Sequence, residues 1–195
     1  MKINKLVMAT NNKNKLREVR EIFSPLGIEV ISQKDAGADT NPEENGSTFS
    51  ENAYIKAKTL YDVVKLPVIA DDSGLCVDFL EGRPSIHSAR YAPEGQECEK
   101  ILEEMKDAPD SQRTAKFVCV IAFIDENGNS EFISGECSGK IGYEKKGLNG
   151  FGYDPIFMCG EKSFAEISSD DKNKISHRAK ALKGLYELLK ERYCD

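Results

Sequence analysis

The apolar run Pro67-Val68-Ile69-Ala70 leads directly into Asp71-Asp72, and Ser73-Gly74 follow at once. A short run of this kind between turn-forming residues reads as a buried strand, so the reading places a strand end at Asp72 and a further strand over residues 75–80. Two carboxylates delivered to one sheet edge repel each other, and an opposing cation relieves that repulsion. A divalent ion bound through oxygen is the natural one, which points to metal-assisted chemistry. The alternative is a solvated turn, because Asp, Ser and Gly are all good turn formers.

Other strand and helix signals surround this run. Leu6-Val7-Met8-Ala9 reads as a strand, and Leu16, Val19, Ile22 and Phe23 recur at helical spacing behind it. Residues 28–32 read as a second strand and residues 35–47 as a polar loop. Phe49, Ala53, Ala57, Leu60 and Val64 form the stripe of a long amphipathic helix with Asn52 and Lys56 on its other face. Thr48 and Glu51 have capping-box spacing at its start. Ile101, Leu102 and Met105 mark a modest helix. The apolar residues 117–124, the turn Glu126-Asn127-Gly128-Asn129 and Phe132-Ile133 read as a hairpin, which favours a mixed sheet. Ile175, Ala179, Leu182, Leu185 and Leu189 form a last helical stripe, with Ser176 as its expected cap. The fold class is α/β, a single mixed-sheet domain over residues 1–195.

A chain of 195 residues fits one sizeable core better than two. Its net charge of -6 argues against a surface that embraces long nucleic acid, while small phosphorylated ligands need only a local basic cluster. Cys76, Cys98, Cys119, Cys137, Cys159 and Cys194 are scattered without a CxxC pair, so reduced thiols are expected rather than a zinc site or a disulfide framework. No apolar run approaches membrane-spanning length, and the N-terminal apolar stretch is too short for a signal peptide. A soluble cytoplasmic protein with no membrane partner is expected.

Chemistry-bearing residues gather at a few positions. The loop Thr10-Asn11-Asn12-Lys13-Asn14-Lys15 joins the first strand to the first helix, where backbone N–H groups and two lysines make a workable phosphate cradle. It lacks the Walker pattern, and an ordinary polar connection is the alternative. Ligand sites on α/β sheets gather at the carboxyl ends of strands, which is where both this loop and Asp71-Asp72 are expected. Glu44 is a candidate metal ligand and Lys56 a candidate phosphate contact. Gly147-Leu148-Asn149-Gly150-Phe151-Gly152-Tyr153-Asp154-Pro155 is dense in glycine around two aromatics, which suits close approach to a flat ligand or a tight structural loop equally well. Lys172, His177 and Arg178 bring basic donors to the start of the last helix.

Assembled in order, these residues resemble the inosine/xanthosine triphosphate pyrophosphatase family, the Ham1/RdgB-like enzymes, over nearly the whole chain. The resemblance is carried by Thr10-x-Asn12-x-x-Lys15, the segment from Glu44 through Gly46, Thr48-Phe49 and Glu51-Asn52-Ala53 to Lys56-Ala57, Ala70-Asp71-Asp72-Ser73-Gly74-Leu75, Ser88-Ala89-Arg90-Tyr91, Gly150 to Pro155, and Ser176-His177-Arg178. Asn11 departs from the glycine often found there. The resemblance implies Mg²⁺-assisted hydrolysis of ITP, dITP and XTP between the α and β phosphates, releasing monophosphate and pyrophosphate and clearing these nucleotides from the pool. It also implies a homodimer and two lobes flanking a substrate cleft. Asp72 is the implied general base and, with Glu44, a metal ligand; Asp71 supports them. Thr10 to Lys15 and Lys56 are implied to hold the triphosphate and Ser73 to touch substrate. Phe151, Gly152, Tyr153, Asp154, Lys172, His177 and Arg178 are implied to enclose the base, with a donor such as Arg178 aimed at its 6-oxygen.

Adenine presents an amino group where these purines carry that oxygen, so a donor there selects against it. Guanine shares the oxygen, and its rejection falls to the 2-position. A Maf-like pyrophosphatase, separable by a nucleobase panel, is the nearer rival. A nucleotide sensor without turnover does not need a base placed beside metal ligands.

Overall fold

The computed structural model describes residues 3–193. Its elements are β1 (Lys5–Met8), α1 (Lys13–Phe23), β2 (Glu29–Ser32), α2 (Phe49–Val64), β3 (Val68–Val77), α3 (Glu97–Glu104), β4 (Thr114–Ile124), β5 (Ser130–Ile141), β6 (Phe157–Cys159), β7 (Lys162–Ser163), α4 (Ser169–Ile175) and α5 (His177–Tyr193). Among the described residues the strands form one sheet in the order β2-β1-β3-β4-β5-β6-β7. Strand β1 runs parallel to β2 and β3, while β6 is antiparallel to β5 and β7, so the sheet is mixed as expected. The turn between β4 and β5 closes on a 3.0 Å bond from the Asp125 N–H to the Asn129 carbonyl, and the Asp125 carboxylate accepts from the Asn127 and Asn129 amides.

Two expectations are corrected. No strand ends at Asp72: β3 continues through Asp71, Asp72, Ser73 and Gly74 to Val77 as one ten-residue strand. The acidic pair does not break it because both carboxylates find cationic partners, so neither needs the solvent of a turn. At the C-terminus, Ile175 belongs to the separate short helix α4 and is partly exposed. Ser176 has extended backbone and caps α4 through its N–H to the Lys172 carbonyl before α5 begins at His177.

The chain divides into two compact units, the boundary passing through β3 after Asp72, β4 after Val118 and β5 after Gly135, and again between His177 and Arg178. In the first unit, side-chain alternation sorts apolar residues to the two sheet faces. Leu6, Met8 and Ile69 pack with Val19 and Phe23 of α1 and Leu182 and Leu185 of α5, whereas Val7, Val68 and Ala70 pack with Ala53, Ala57 and Leu60 of α2. The parity of β3 therefore sends Asp71, like Ile69, toward α1 and α5, and Asp72, like Ala70, toward α2. Helix α2 starts where its capping box predicts, with the Thr48 hydroxyl accepting from the Glu51 N–H at 3.1 Å.

The second unit has its own core of Leu75, Val77, Ile101, Met105, Phe117, Ile141, Phe157 and Phe164. Gly74 lets β3 lie against the turn Ser85–Arg90, since a β-carbon there would stand 2.2 Å from the Ser85 carbonyl oxygen. Arg113, 1% exposed, donates to the carbonyls of Met105, Ile141 and Gly142 at 2.8, 2.9 and 2.6 Å and joins the end of α3 to the end of β5. Cys76, Cys98, Cys119, Cys137 and Cys159 are free thiols, and Cys194 lies outside the described residues. Among the described residues no helix is long and apolar enough to cross a membrane.

Candidate active site

In the first unit, two carboxylates and a lysine meet beside α2. Lys56 Nζ lies 2.7 Å from Glu44 Oε2 and 3.3 Å from Asp72 Oδ1. Asn52, one turn before Lys56 and fully buried, donates from Nδ2 to Asp72 Oδ2 at 3.3 Å and accepts the Gly46 N–H on Oδ1 at 2.9 Å. One amide thus orients Asp72 and ties down the loop that carries Glu44. Gly46 is needed for this contact, because a β-carbon there would come within 2.7 Å of Asn52 Oδ1.

Burial raises the Asp72 carboxyl above the ordinary Asp range, although Lys56 and Lys15 pull it down; Glu44 adds to the rise. Burial would lower the Lys56 ammonium, but Asp72, Asp71 and Glu44 outweigh it and leave it raised. Glu44 and Asp72 already converge on one positive charge. Among the described residues no group of three or more His, Cys, Asp or Glu is arranged to hold a metal. Two carboxylate donors suit magnesium, which is commonly held by one or two carboxylates and the substrate.

Asp71 lies on the other face of β3. Its Oδ2 is 3.0 Å from Lys15 Nζ and 3.2 Å from Arg178 Nη2, and Arg178 Nη1 also pairs with Glu18. Burial by itself would raise this carboxyl, but Lys15, Arg178 and Lys56 hold it well below the usual carboxylate range. Asp71 therefore remains an anion that fixes Lys15 near the start of α1. Burial also pushes the Cys119 thiol up to about 12, with Asp71 adding to the rise, so this cysteine is an inert neighbour.

The loop Thr10–Lys15 is built as an N-cap. Asn12 accepts the Asn14 and Lys15 N–H groups at 2.9 and 3.1 Å, and Thr10 Oγ1 accepts the Asn12 N–H at 3.1 Å. Two amides expected in a phosphate cradle are therefore held by the chain's own side chain, and Lys15 is the cation the loop brings to Asp71. Asn11 accepts from Gln33 Nε2 at 2.9 Å, and Gln33, 1% exposed, also exchanges hydrogen bonds with Thr40. Lys13 is exposed and Asn14 half-buried in the first turn of α1.

The second unit gathers the glycine loop and Lys172. Asp154 Oδ2 accepts the Phe151 N–H at 2.9 Å and Lys172 Nζ at 2.7 Å, and Lys172 lies 4.8 Å from the centre of the Phe151 ring. Gly150 has φ of +75°, and a β-carbon on it would strike Asp154 Oδ2 at 2.0 Å. His177, 4% exposed, stacks on Phe117 with ring centres 4.6 Å apart. Gly152 is exposed, and Ser73 is half-buried directly after Asp72 in β3.

Two residues expected at the base are placed otherwise. The Tyr153 hydroxyl is buried and donates to the Ser88 carbonyl at 2.8 Å, bracing the Ser85–Arg90 turn, and burial raises its pKa. Arg178 belongs to the first unit, where it is 2% exposed and engaged with Asp71 and Glu18. Turning it to a base would strip two buried carboxylates of that partner. Gln33 and Glu18 are contributors that motif reading passed over, and Asn52, though part of a motif, carried no assigned role. The one available signal was the helical offset of four that places Asn52 and Lys56 on one face.

Residues 6–188 match the model of the Ham1 family. A dITP/XTP pyrophosphatase of Treponema denticola is 46% identical over 196 residues, covering 95% of this chain and 98% of the relative. One from Haemophilus influenzae is 48% identical over 186 residues, covering 91% and 95%. The solved structure of a HAM1 protein from Coxiella burnetii superposes with a TM-score of 0.86 at 40% identity, covering 96% of this chain and 98% of that one.

Proposed function

Since this chain belongs to the Ham1 family, we propose that it is a pyrophosphohydrolase of non-standard purine nucleoside triphosphates, cleaving ITP, dITP and XTP to the monophosphate and pyrophosphate. The carrying observation is the convergence of Asp72, Glu44 and Lys56, with Asn52 fixing the carboxylate of Asp72. Glu44 and Asp72 would hold Mg²⁺, which would supply stabilisation of the charge that develops on the phosphates. Asp72 takes the proton from a water that attacks the α-phosphorus. The bond from that phosphorus to the bridging oxygen breaks, and pyrophosphate leaves. Lys15 and Lys56 hold the phosphates with the Thr10–Lys15 loop and Ser73. Phe151 stacks on the base, Gly152 lets the backbone approach it, and Asp154 positions Lys172. Lys172 and His177 donate to the 6-oxygen, while Arg178 braces Asp71. We further propose that the chain works as one catalytic domain, as a homodimer, in the cytoplasm.

Hydrolysis of dITP in ¹⁸O-water tests the cleavage site. The label appears in the monophosphate if the α-phosphorus is attacked; label in pyrophosphate contradicts the assignment. Lys15→Ala should raise KM for dITP by about tenfold, the order expected for a lost charge-assisted contact, and leave competitive inhibition by the nucleoside unchanged. Equal losses for both ligands would remove Lys15 from the phosphate site. Phe151→Ala should weaken ITP binding by about 1–3 kcal/mol, the range for base stacking on an aromatic ring; unchanged affinity argues against stacking.

A further inference from the structure

Resting on the reading that His177 donates to the base, we infer that Phe117, a core residue of β4, is a positioning residue for base recognition because its ring face sets the plane of the His177 imidazole. The two rings lie within 14° of parallel at 4.6 Å between centres. Phe117 is 7% exposed and His177 is 4% exposed, so neither ring has solvent in which to reorient freely. A ring stacked on a flat wall keeps its nitrogen lone pair and N–H directions parallel to that wall. His177 can then address the in-plane edge of a purine from one direction, and a ring free to tilt loses that selectivity.

The wall extends beyond His177. Phe164 is within 7° of parallel to Phe117 at 6.0 Å, and Lys172 Nζ lies 5.8 Å from the centre of the Phe164 ring. Phe157 packs obliquely against both phenyl rings, at 56° and 4.6 Å from Phe117 and at 61° and 4.9 Å from Phe164. The two near-parallel rings therefore back His177 at one end and Lys172 at the other. Phe157 shares the core with Phe117 and supplies an internal control for simple packing loss.

The test compares four purified variants for dITP hydrolysis, with inorganic tripolyphosphate as a competing ligand that has no base. Phe117→Leu should raise KM for dITP about fivefold with kcat within about twofold, the size expected of a lost aromatic pair, while inhibition by tripolyphosphate stays unchanged. Phe117→Tyr, which keeps the ring face, should restore KM. Phe157→Leu should lower Tm as much as Phe117→Leu and leave KM unchanged. His177→Ala should raise KM at least as far as Phe117→Leu. The inference is overturned if Phe117→Leu leaves KM unchanged, if tripolyphosphate inhibition weakens in parallel, or if Phe157→Leu reproduces the KM effect. A His177→Ala variant with the KM of the unmodified protein overturns the reading of His177 itself. A raised KM there with no change in Phe117→Leu overturns the positioning role and spares that reading.

Discussion

Replacing Asp72 with Asn lowers kcat for dITP by about 10²–10⁴-fold, the range for loss of a general base, with little change in Tm. The substitution keeps the volume and lets Asn52 retain a hydrogen-bonding partner at the position of Oδ2. It removes the carboxylate that accepts a proton and that lies 3.3 Å from Lys56 Nζ. The effect belongs to kcat, because the phosphate contacts assigned to Lys15 and Lys56 are left in place. Turnover near that of the unmodified enzyme in a folded variant would take the base role away from Asp72.

Arg178→Met should destabilise the protein by about 3–5 kcal/mol at pH 7, the cost typical of removing one member of a buried ion-pair network. Asp71 and Glu18 have side chains only 3% and 9% exposed, and both lose the guanidinium. The pH dependence separates this from a packing defect. In the unmodified protein, the depressed Asp71 carboxyl adds stability that is complete above the unfolded-chain value near 3.9 and is lost as pH falls through its lower folded value. In the variant, burial of Asp71 has less to oppose it, so its carboxyl rises and takes up a proton at higher pH. The gap in Tm between the two proteins should therefore be widest near neutrality and narrow as the pH falls through the carboxylate range. A gap that does not change with pH would assign the loss to packing alone.

Much of the catalytic side was readable from local pattern. Helical spacing places Asn52 and Lys56 on one face of α2, and the apolar run before Asp71-Asp72 reads as a strand. The continuation of β3 beyond Asp72 was not readable, because what stabilises it comes from far away in the chain: the contact between Arg178 and Asp71 spans 107 residues. The alternation that sends Asp71 and Asp72 to opposite faces follows from strand geometry once the strand is known to continue. Arg178 looked like a base-reading donor beside His177, yet its guanidinium is engaged with Asp71 and Glu18. Tyr153 looked like a stacking ring because its glycine-rich surroundings suit a ligand loop as well as a braced turn. Phe117 and Arg113 carried no local signal, since an aromatic in an apolar strand and an arginine before a strand are ordinary in sequence and acquire their roles through packing across the second unit.

The most direct measurement incubates the purified protein with ITP, XTP, GTP and ATP, with and without Mg²⁺, and identifies the phosphorus-containing products. Monophosphate and pyrophosphate are expected from ITP and XTP in the presence of the metal, with GTP and ATP left largely intact. Release of orthophosphate, or equal turnover of all four purines, would contradict the proposed function.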